Sequence, residues 1–141
     1  MILLVEDDPA HVMLIREALA GYEEIKIDLQ VVSDGARALR WLEERLEGAA
    51  RKLPHLILLD LNLPRISGLD ILEWLSTHQD PRMSSIPVVV FTTSRIETDI
   101  VRARSWGAAA YIVKPVSFRK FEVAIRSIPD FYRHSEFVRM K

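Results

Sequence analysis

The chain has 141 residues, no cysteine and a formal net charge of −1; 49% of its residues are hydrophobic and 28% are charged. This length suits one domain of about 100–150 residues, and the apolar content is too high for a disordered chain. The lack of cysteine excludes disulfides, thiolate nucleophiles and cysteine-ligated metals. Basic stripes interleaved with aromatic residues are missing from most of the chain, so a nucleic-acid partner is not favoured. The longest apolar run, 108–113, is far below the ~20 residues of a membrane helix, and we expect a cytoplasmic protein.

Five short apolar runs alternate with stretches whose apolar residues recur at helical spacing. The predicted strands are 2–5, 25–32, 56–59, 88–91 and 111–113. The predicted helices are 9–20, 34–46, 69–77, 96–106 and 117–128. Because the strands are continuous aliphatic runs separated by helices, they favour an α/β domain over residues 1–128, with a doubly wound parallel sheet covered on both faces.

Polar side chains follow four of the apolar runs. They are Glu6, Asp7 and Asp8 after the first run, Asp60 and Asn62 after the third, Thr92, Thr93 and Ser94 after the fourth, and Lys114 after the fifth. Any one of them has a simpler explanation, since Asp8 is a good helix cap before Pro9 and Asp or Thr often follows a strand in a turn. In doubly wound sheets, ligands bind outside the carboxyl ends of the strands, so the coincidence at four strand ends predicts one shared site.

The carboxylates at these strand ends indicate a metal. Packed closely, they would repel one another and raise each other's pKa values unless a divalent cation neutralised them. Oxygen ligands favour magnesium, manganese or calcium over zinc. No ligand spacing appears among the histidines, which we interpret as surface or boundary residues: His11, His55, His78 and His134. With a metal and a lysine nearby, Asp60 would have surroundings that stabilise a transferring phosphoryl group.

These motifs resemble those of the receiver domains of two-component response regulators, over residues 1–128. The matching elements are Glu6 with Asp7, the segment 60–64 with Gly68 four residues later, Thr92, and the segment 111–115. Within that family the chain is similar to the small stand-alone regulators that partner bacterial and cyanobacterial phytochromes. The similarity lies in the segment 58–65, in the long segment 34–54 before the third strand, and in the aromatic tail. The resemblance implies a flavodoxin-like sheet of five strands in the order 2-1-3-4-5, with five helices.

The resemblance also implies a role for each carboxylate. Asp60 would accept a phosphoryl group from a kinase phosphohistidine. Asp7 and Asp60 would bind a magnesium ion directly, Asn62 would add its backbone carbonyl, and Glu6 would act mostly through water.

The remaining strand-end residues would form a switch, again by resemblance. Lys114 would reach the phosphate oxygens, and the Lys114–Pro115 bond is expected to be cis, which costs little before proline. Thr92 would swing its hydroxyl to the phosphate after transfer. Tyr111, read from the sequence as a half-buried ring on an edge strand, would change rotamer with Thr92.

Three other functions fit the sequence less well. A haloacid-dehalogenase-type phosphatase would need a second aspartate as general acid where Asn62 stands. A flavodoxin-like cofactor binder would need hydroxyls and N–H groups in its first loop, where Glu6, Asp7 and Asp8 would repel a phosphate. A DNA-binding regulator would need a further domain after residue 128. We therefore expect a single-domain response regulator, which is no enzyme beyond assisting its own phosphorylation and dephosphorylation.

The C-terminal extension, residues 129–141, is expected to make contacts. Its aromatic residues are too apolar to remain in water, so they fold back on the domain or meet another chain; they are Phe131, Tyr132 and Phe137. In the receiver family the surface that changes on phosphorylation is formed by the fourth helix, fifth strand and fifth helix, here within 96–128. We predict a homodimer through that surface and the extension, with a sensor histidine kinase of the phytochrome type as the other partner.

Overall fold

A computed structural model describes residues 1–21, 26–48, 52–128 and 138–140. They form one parallel sheet in the order β2-β1-β3-β4-β5-β6. The strands are β1 (Ile2–Val5), β2 (Leu29–Val32), β3 (Leu56–Leu59), β4 (Val88–Thr92), β5 (Ala110–Val113) and β6 (Val138–Met140). The helices are α1 (Pro9–Ala20), α2 (Gly35–Glu47), α3 (Gly68–Ser76), α4 (Pro81–Ser84), α5 (Glu97–Ser105) and α6 (Phe118–Ser127). The expected fold class and the order 2-1-3-4-5 are confirmed, with one strand added beside β5.

The strands are continuous aliphatic runs because both faces of the sheet are covered. β1, β3, β4 and β5 are buried along their whole length. Successive side chains point to opposite faces, so Leu3 and Val5 join the apolar cluster under α2, α3 and α5, whereas Ile2 and Leu4 join the cluster under α1 and α6. None of the helices among the described residues is long and apolar enough to cross a membrane.

Capping side chains fix where the helices begin. Asp8, Asp34, Ser67 and Ser117 each accept a hydrogen bond from a backbone amide in the first turn of α1, α2, α3 and α6. Asp70 completes a capping box with Ser67. Each cap contributes about 1 kcal/mol, and those of α1 and α3 fix the chain just after the loops that follow β1 and β3.

Some elements differ from the sequence prediction. α4 is a single turn capped by Asp80, and four residues are too few for a helical period to be recognised. The second strand begins at Leu29 rather than at residue 25, which lies outside the described part of the chain. β6 is an additional strand, parallel to β5 with Arg139 opposite Tyr111. β6 occupies the backbone hydrogen-bonding positions that β5 would leave open if it were the edge strand.

Only residues 138–140 of the C-terminal extension are described. They fold back on the domain's own sheet, and two hydrogen bonds of 3.1 and 3.2 Å from the Arg139 guanidinium to the Glu97 carboxylate join β6 to α5. The three aromatic residues predicted to make contacts lie outside the described residues: Phe131, Tyr132 and Phe137. The division of the chain at residue 128 stays a prediction.

Gly68 permits the close approach of α3 to the loop after β3. A Cβ atom there would overlap the Asp60 carbonyl oxygen and lie 2.6 Å from Leu61 Cα, and both are backbone atoms. We expect Gly68→Ala to lower the free energy of unfolding by about 2–3 kcal/mol, measured by urea unfolding. Gly21→Ala is the matched control, because the nearest atom to its Cβ, at 2.9 Å, would be the flexible end of the Arg126 side chain, and the nearest backbone atom, the Ala18 carbonyl oxygen, is at an ordinary contact distance of 3.7 Å. Equal losses in the two variants would contradict this explanation.

Candidate functional site

Three carboxylates meet where β1 and β3 end. The strands are neighbours, with Val5 opposite Leu59, so the residues that follow them lie at the same edge of the sheet. Glu6, Asp7 and Asp60 each offer one carboxylate oxygen, and these atoms all lie within 4.8 Å of one another. Glu6 and Asp60 are buried, whereas Asp7 is exposed. The arrangement is an oxygen-only set, of the kind that hard divalent cations prefer.

Lys114 reaches these carboxylates from the end of β5. Its backbone N–H donates to the Thr92 carbonyl at 2.7 Å, which fixes the chain beside β4. Its Nζ donates to Glu6 Oε2 at 2.7 Å and to Asp60 Oδ2 at 3.1 Å. All three side chains are almost inaccessible to solvent. One ammonium group therefore faces two buried carboxylates and the exposed Asp7, which leaves the pocket short of positive charge.

The protonation of Glu6 reflects this imbalance. Burial raises the pKa of Glu6 to about 7 in spite of the hydrogen bond from Lys114, and the negative charge of Asp60 adds to the rise. A proton therefore competes for Glu6 near neutral pH. A divalent cation would supply the missing charge, so the residues fit a metal ion of that kind.

In metal-free buffer we expect the free energy of unfolding to fall as the pH rises from 4.5 to about 7. In this interval the folded protein keeps a proton on Glu6 that the unfolded chain has released, so stability decreases as the pH rises. The part due to Glu6 is at most about 3 kcal/mol. Urea unfolding at both ends of the interval should show a smaller fall in Glu6→Gln. The same fall in both proteins would show that another group is responsible.

Asn62 ties together the loops that follow β3 and β4. Its backbone N–H donates to Asp60 Oδ1 at 3.1 Å. Its side-chain amide donates to Thr93 Oγ1 at 3.1 Å and, at a long 3.4 Å, to Thr92 Oγ1. Asn62 thus lies beside the carboxylates as expected, and the metal role of its backbone carbonyl stays a prediction.

Tyr111 lies in the interior of the molecule. Its side chain is buried, and its hydroxyl donates to the Ser94 carbonyl at 2.9 Å. Burial raises the pKa of that hydroxyl. Ser94 Oγ donates to Asp99 Oδ2 of α5 at 2.6 Å, and the Ser94 N–H donates to Thr92 Oγ1 at 3.4 Å. The expected half-buried position on an edge strand is wrong, because β6 pairs with β5. Hydrogen bonds through Ser94 connect Thr92, Tyr111 and α5.

The Lys114–Pro115 peptide bond is trans, so the expectation of a cis bond is wrong. The two isomers differ by only about 0.5–1 kcal/mol before proline, which is too little for a sequence to decide between them. Lys114 still points into the pocket from the trans bond, with its Nζ on Asp60.

His11 is a site residue that no sequence motif indicates. Its Nδ1 lies 2.8 Å from Lys114 Nζ. His11 lies in the first turn of α1, three residues after the capping Asp8, and its partner is 103 positions further along the chain. No local pattern could have revealed this contact; only the capped start of α1 directly after the first strand could have suggested that its first turn borders the pocket.

Residues 2–126 match the family model of the response regulator receiver domain. The chain therefore belongs to the response regulator receiver domain family. These domains serve signalling rather than catalysis and accept phosphate from histidine kinases. The match does not favour a phosphatase or a cofactor binder.

Several known proteins are similar to the chain. A probable methanogenesis regulatory protein of Methanothrix harundinacea, FilR2, is 37% identical over 134 residues, which cover 94% of this chain and 83% of that protein. Response regulator Rcp1 of Synechocystis is 34% identical over 132 residues, covering 94% and 88% of the two chains. The structure of the phosphorylated cyanobacterial phytochrome response regulator RcpA has a TM-score of 0.83 at 37% identity, covering 93% and 91%. The Mn²⁺-bound form of Rcp1 has a TM-score of 0.82 at 34% identity, covering 95% and 94%. The resemblance to phytochrome-linked regulators is confirmed.

Proposed function

We propose that Asp60 accepts a phosphoryl group from the phosphohistidine of a sensor histidine kinase. The observation that carries this proposal is the buried Asp60 carboxylate, which accepts a hydrogen bond from Lys114 Nζ and lies beside Glu6 and Asp7. In the transfer the bond from phosphorus to the donor nitrogen breaks while a bond from phosphorus to an Asp60 oxygen forms. Lys114 then pairs with the phosphate oxygens, so the domain assists its own phosphorylation and dephosphorylation by binding the reacting groups.

In this proposal the metal is magnesium, which Asp7, Asp60 and the backbone carbonyl of Asn62 would hold directly and Glu6 would hold mostly through water. The cluster of carboxylate oxygens and the raised pKa of Glu6 support the assignment, as does the manganese bound by the similar protein Rcp1. When bound, such an ion supplies positive charge to the phosphate oxygens. Asp7, the exposed member, keeps one side of the pocket open to the donor.

Thr92 and Tyr111 form the proposed switch. The two hydrogen bonds to Thr92 Oγ1 from Asn62 and Ser94 are both long, at 3.4 Å. They are therefore weak, and the Thr92 hydroxyl loses little hydrogen-bond energy when it turns to a phosphate on Asp60. The Ser94 N–H loses its acceptor in that movement, while its carbonyl holds the Tyr111 hydroxyl. Phosphorylation thereby alters the contacts of Tyr111 and of α5.

Acetyl phosphate with magnesium, followed by intact mass measurement, tests the proposal. The native protein should gain one phosphoryl group, and Asp60→Asn should gain none. Asp28→Asn is the matched control, because Asp28 is exposed and precedes β2, so it lies at the amino ends of the strands, whereas the pocket lies at their carboxyl ends. Phosphorylation of Asp60→Asn, or none in the native protein, would contradict the proposed function.

A phytochrome-type histidine kinase is the proposed donor, and the similarity to the phytochrome response regulator RcpA supports it. Phosphotransfer from a purified phytochrome kinase should be faster than transfer from a histidine kinase with an unrelated sensor. Equal rates would leave the phytochrome without a special role. The cytoplasmic location expected from the sequence stays a prediction.

We expect a homodimer through α5, β5 and α6 together with the C-terminal extension, tightened or rearranged by phosphorylation. Large apolar side chains that are 57–98% exposed support this surface: Ile96, Val101, Val116, Phe118 and Val123. Because β6 covers the edge of β5, β6 would form part of the interface. Sedimentation with and without a phosphoryl mimic should show dimers that weaken when residues 129–141 are deleted. A monomer in both states, unaltered by the deletion, would exclude this assembly.

A further inference from the structure

His11 lies at the wall of the carboxylate pocket, with one ring nitrogen against the Lys114 ammonium. Its Nδ1 is 2.8 Å from Lys114 Nζ. The same nitrogen lies 3.5 Å from Asp8 Oδ2 and 3.9 Å from Glu6 Oε1. An ammonium group only donates hydrogen bonds, so Nδ1 accepts and carries no proton in this arrangement. The two longer approaches would need a proton on Nδ1, so the bond from Lys114 is the interaction that the geometry supports.

Each N–H of the Lys114 ammonium has one acceptor. Two acceptors are the carboxylates of Glu6 and Asp60, and the third is His11 Nδ1. The Lys114 side chain is only 3% exposed. A donor left without an acceptor there would carry the penalty of a buried, unsatisfied hydrogen bond. His11 is the uncharged acceptor of the three.

The two carboxylates change partners in the proposed reaction, and His11 does not. Asp60 would receive the phosphoryl group, and Glu6, a member of the same cluster of carboxylate oxygens, would turn toward a bound metal. We propose that His11 is a positioning residue, which holds the Lys114 ammonium in the pocket while Glu6 and Asp60 change partners. This inference rests on the proposed phosphorylation of Asp60.

Aromatic packing fixes the direction of the His11 ring. The ring lies beside Phe121 of α6, with the two centroids 6.0 Å apart. Phe121 in turn packs edge-on against Phe91 of β4 at 5.1 Å, and Lys114 Nζ lies 5.8 Å from the centre of the Phe91 ring. The contact between α1 and α6 therefore sets the direction of Nδ1 toward Lys114.

Two substitutions separate the hydrogen bond from the packing. His11→Asn keeps an acceptor close to the place of Nδ1 but loses the ring, whereas His11→Phe keeps a ring against Phe121 and loses the acceptor. We expect the rate of phosphorylation of Asp60 by acetyl phosphate with magnesium to fall about tenfold in His11→Phe, the effect of one hydrogen bond to a charged group. In His11→Asn the rate should stay within about twofold of the native value. If His11→Phe fails to fold, His11→Leu, which also lacks an acceptor, should show the same loss.

A double-mutant cycle distinguishes positioning from an independent effect. With Lys114→Ala as the background there is no ammonium to position, so His11→Phe should cause no further loss of rate. A slow His11→Asn with a fast His11→Phe, or an undiminished loss in the Lys114→Ala background, would overturn the positioning role. The proposed function is judged separately: it fails if the native protein is not phosphorylated or if Asp60→Asn still is.

Discussion

Lys114→Ala should leave the fold intact and phosphorylation at Asp60 detectable, while abolishing the response to phosphorylation. The variant loses the charge that both buried carboxylates share at 2.7 and 3.1 Å. Loss of one such stabilising group from a reaction site slows the reaction by roughly 100-fold. The fold survives because Glu6, whose pKa is already raised to about 7, can take up a proton and remove the repulsion from Asp60.

Fluorine NMR of protein labelled with 3-fluorotyrosine measures the lost response. In the native protein the Tyr111 resonance, assigned with Tyr111→Phe, should shift on phosphorylation, whereas in Lys114→Ala it should stay unchanged even after phosphate has been incorporated. Lys26→Ala is the control, since Lys26 is exposed and lies near the start of β2, away from the pocket. A native-like shift in phosphorylated Lys114→Ala, or a variant that fails to fold, would remove Lys114 from the switch.

Chelation of divalent cations should abolish phosphorylation by acetyl phosphate. Without a metal, the carboxylates of Glu6, Asp7 and Asp60 present negative charge to an anionic donor. Among the described residues, the ammonium group hydrogen-bonded to these carboxylates is that of Lys114. Hard divalent cations bind such oxygen clusters, so magnesium added in excess over EDTA should restore the reaction. Equal rates of phosphotransfer in excess EDTA would contradict the metal assignment.

The parallel order of the strands made much of this site predictable. Glu6, Asp60, Thr92 and Lys114 each directly follow or end an apolar run. In a parallel sheet the carboxyl ends of neighbouring strands lie at one edge. Their proximity follows from strand order, even though Glu6 and Lys114 are 108 positions apart.

Contacts that depend on side-chain direction could not be predicted in this way. His11 lies in a helix, and the residues around it in the sequence do not indicate its contact with Lys114. Ser94 follows the fourth apolar run with no pattern that indicates its contacts, yet its carbonyl and hydroxyl join Tyr111 to Asp99. The strand that carries Tyr111 is not at the edge of the sheet because β6 pairs with it, and β6 has three residues and no detectable period. Each of these features arises from tertiary packing rather than from a local pattern.

Locating the phosphoryl group within the chain tests the central claim most directly. Borohydride reduces an acyl phosphate to the alcohol, so phosphoaspartate becomes homoserine, which peptide mass spectrometry assigns to a single position. After treatment with acetyl phosphate and magnesium, we predict homoserine in place of Asp60 and unmodified aspartate at Asp7. Homoserine at Asp7, or a phosphoryl group carried by a histidine while Asp60 remains unmodified, would contradict the account.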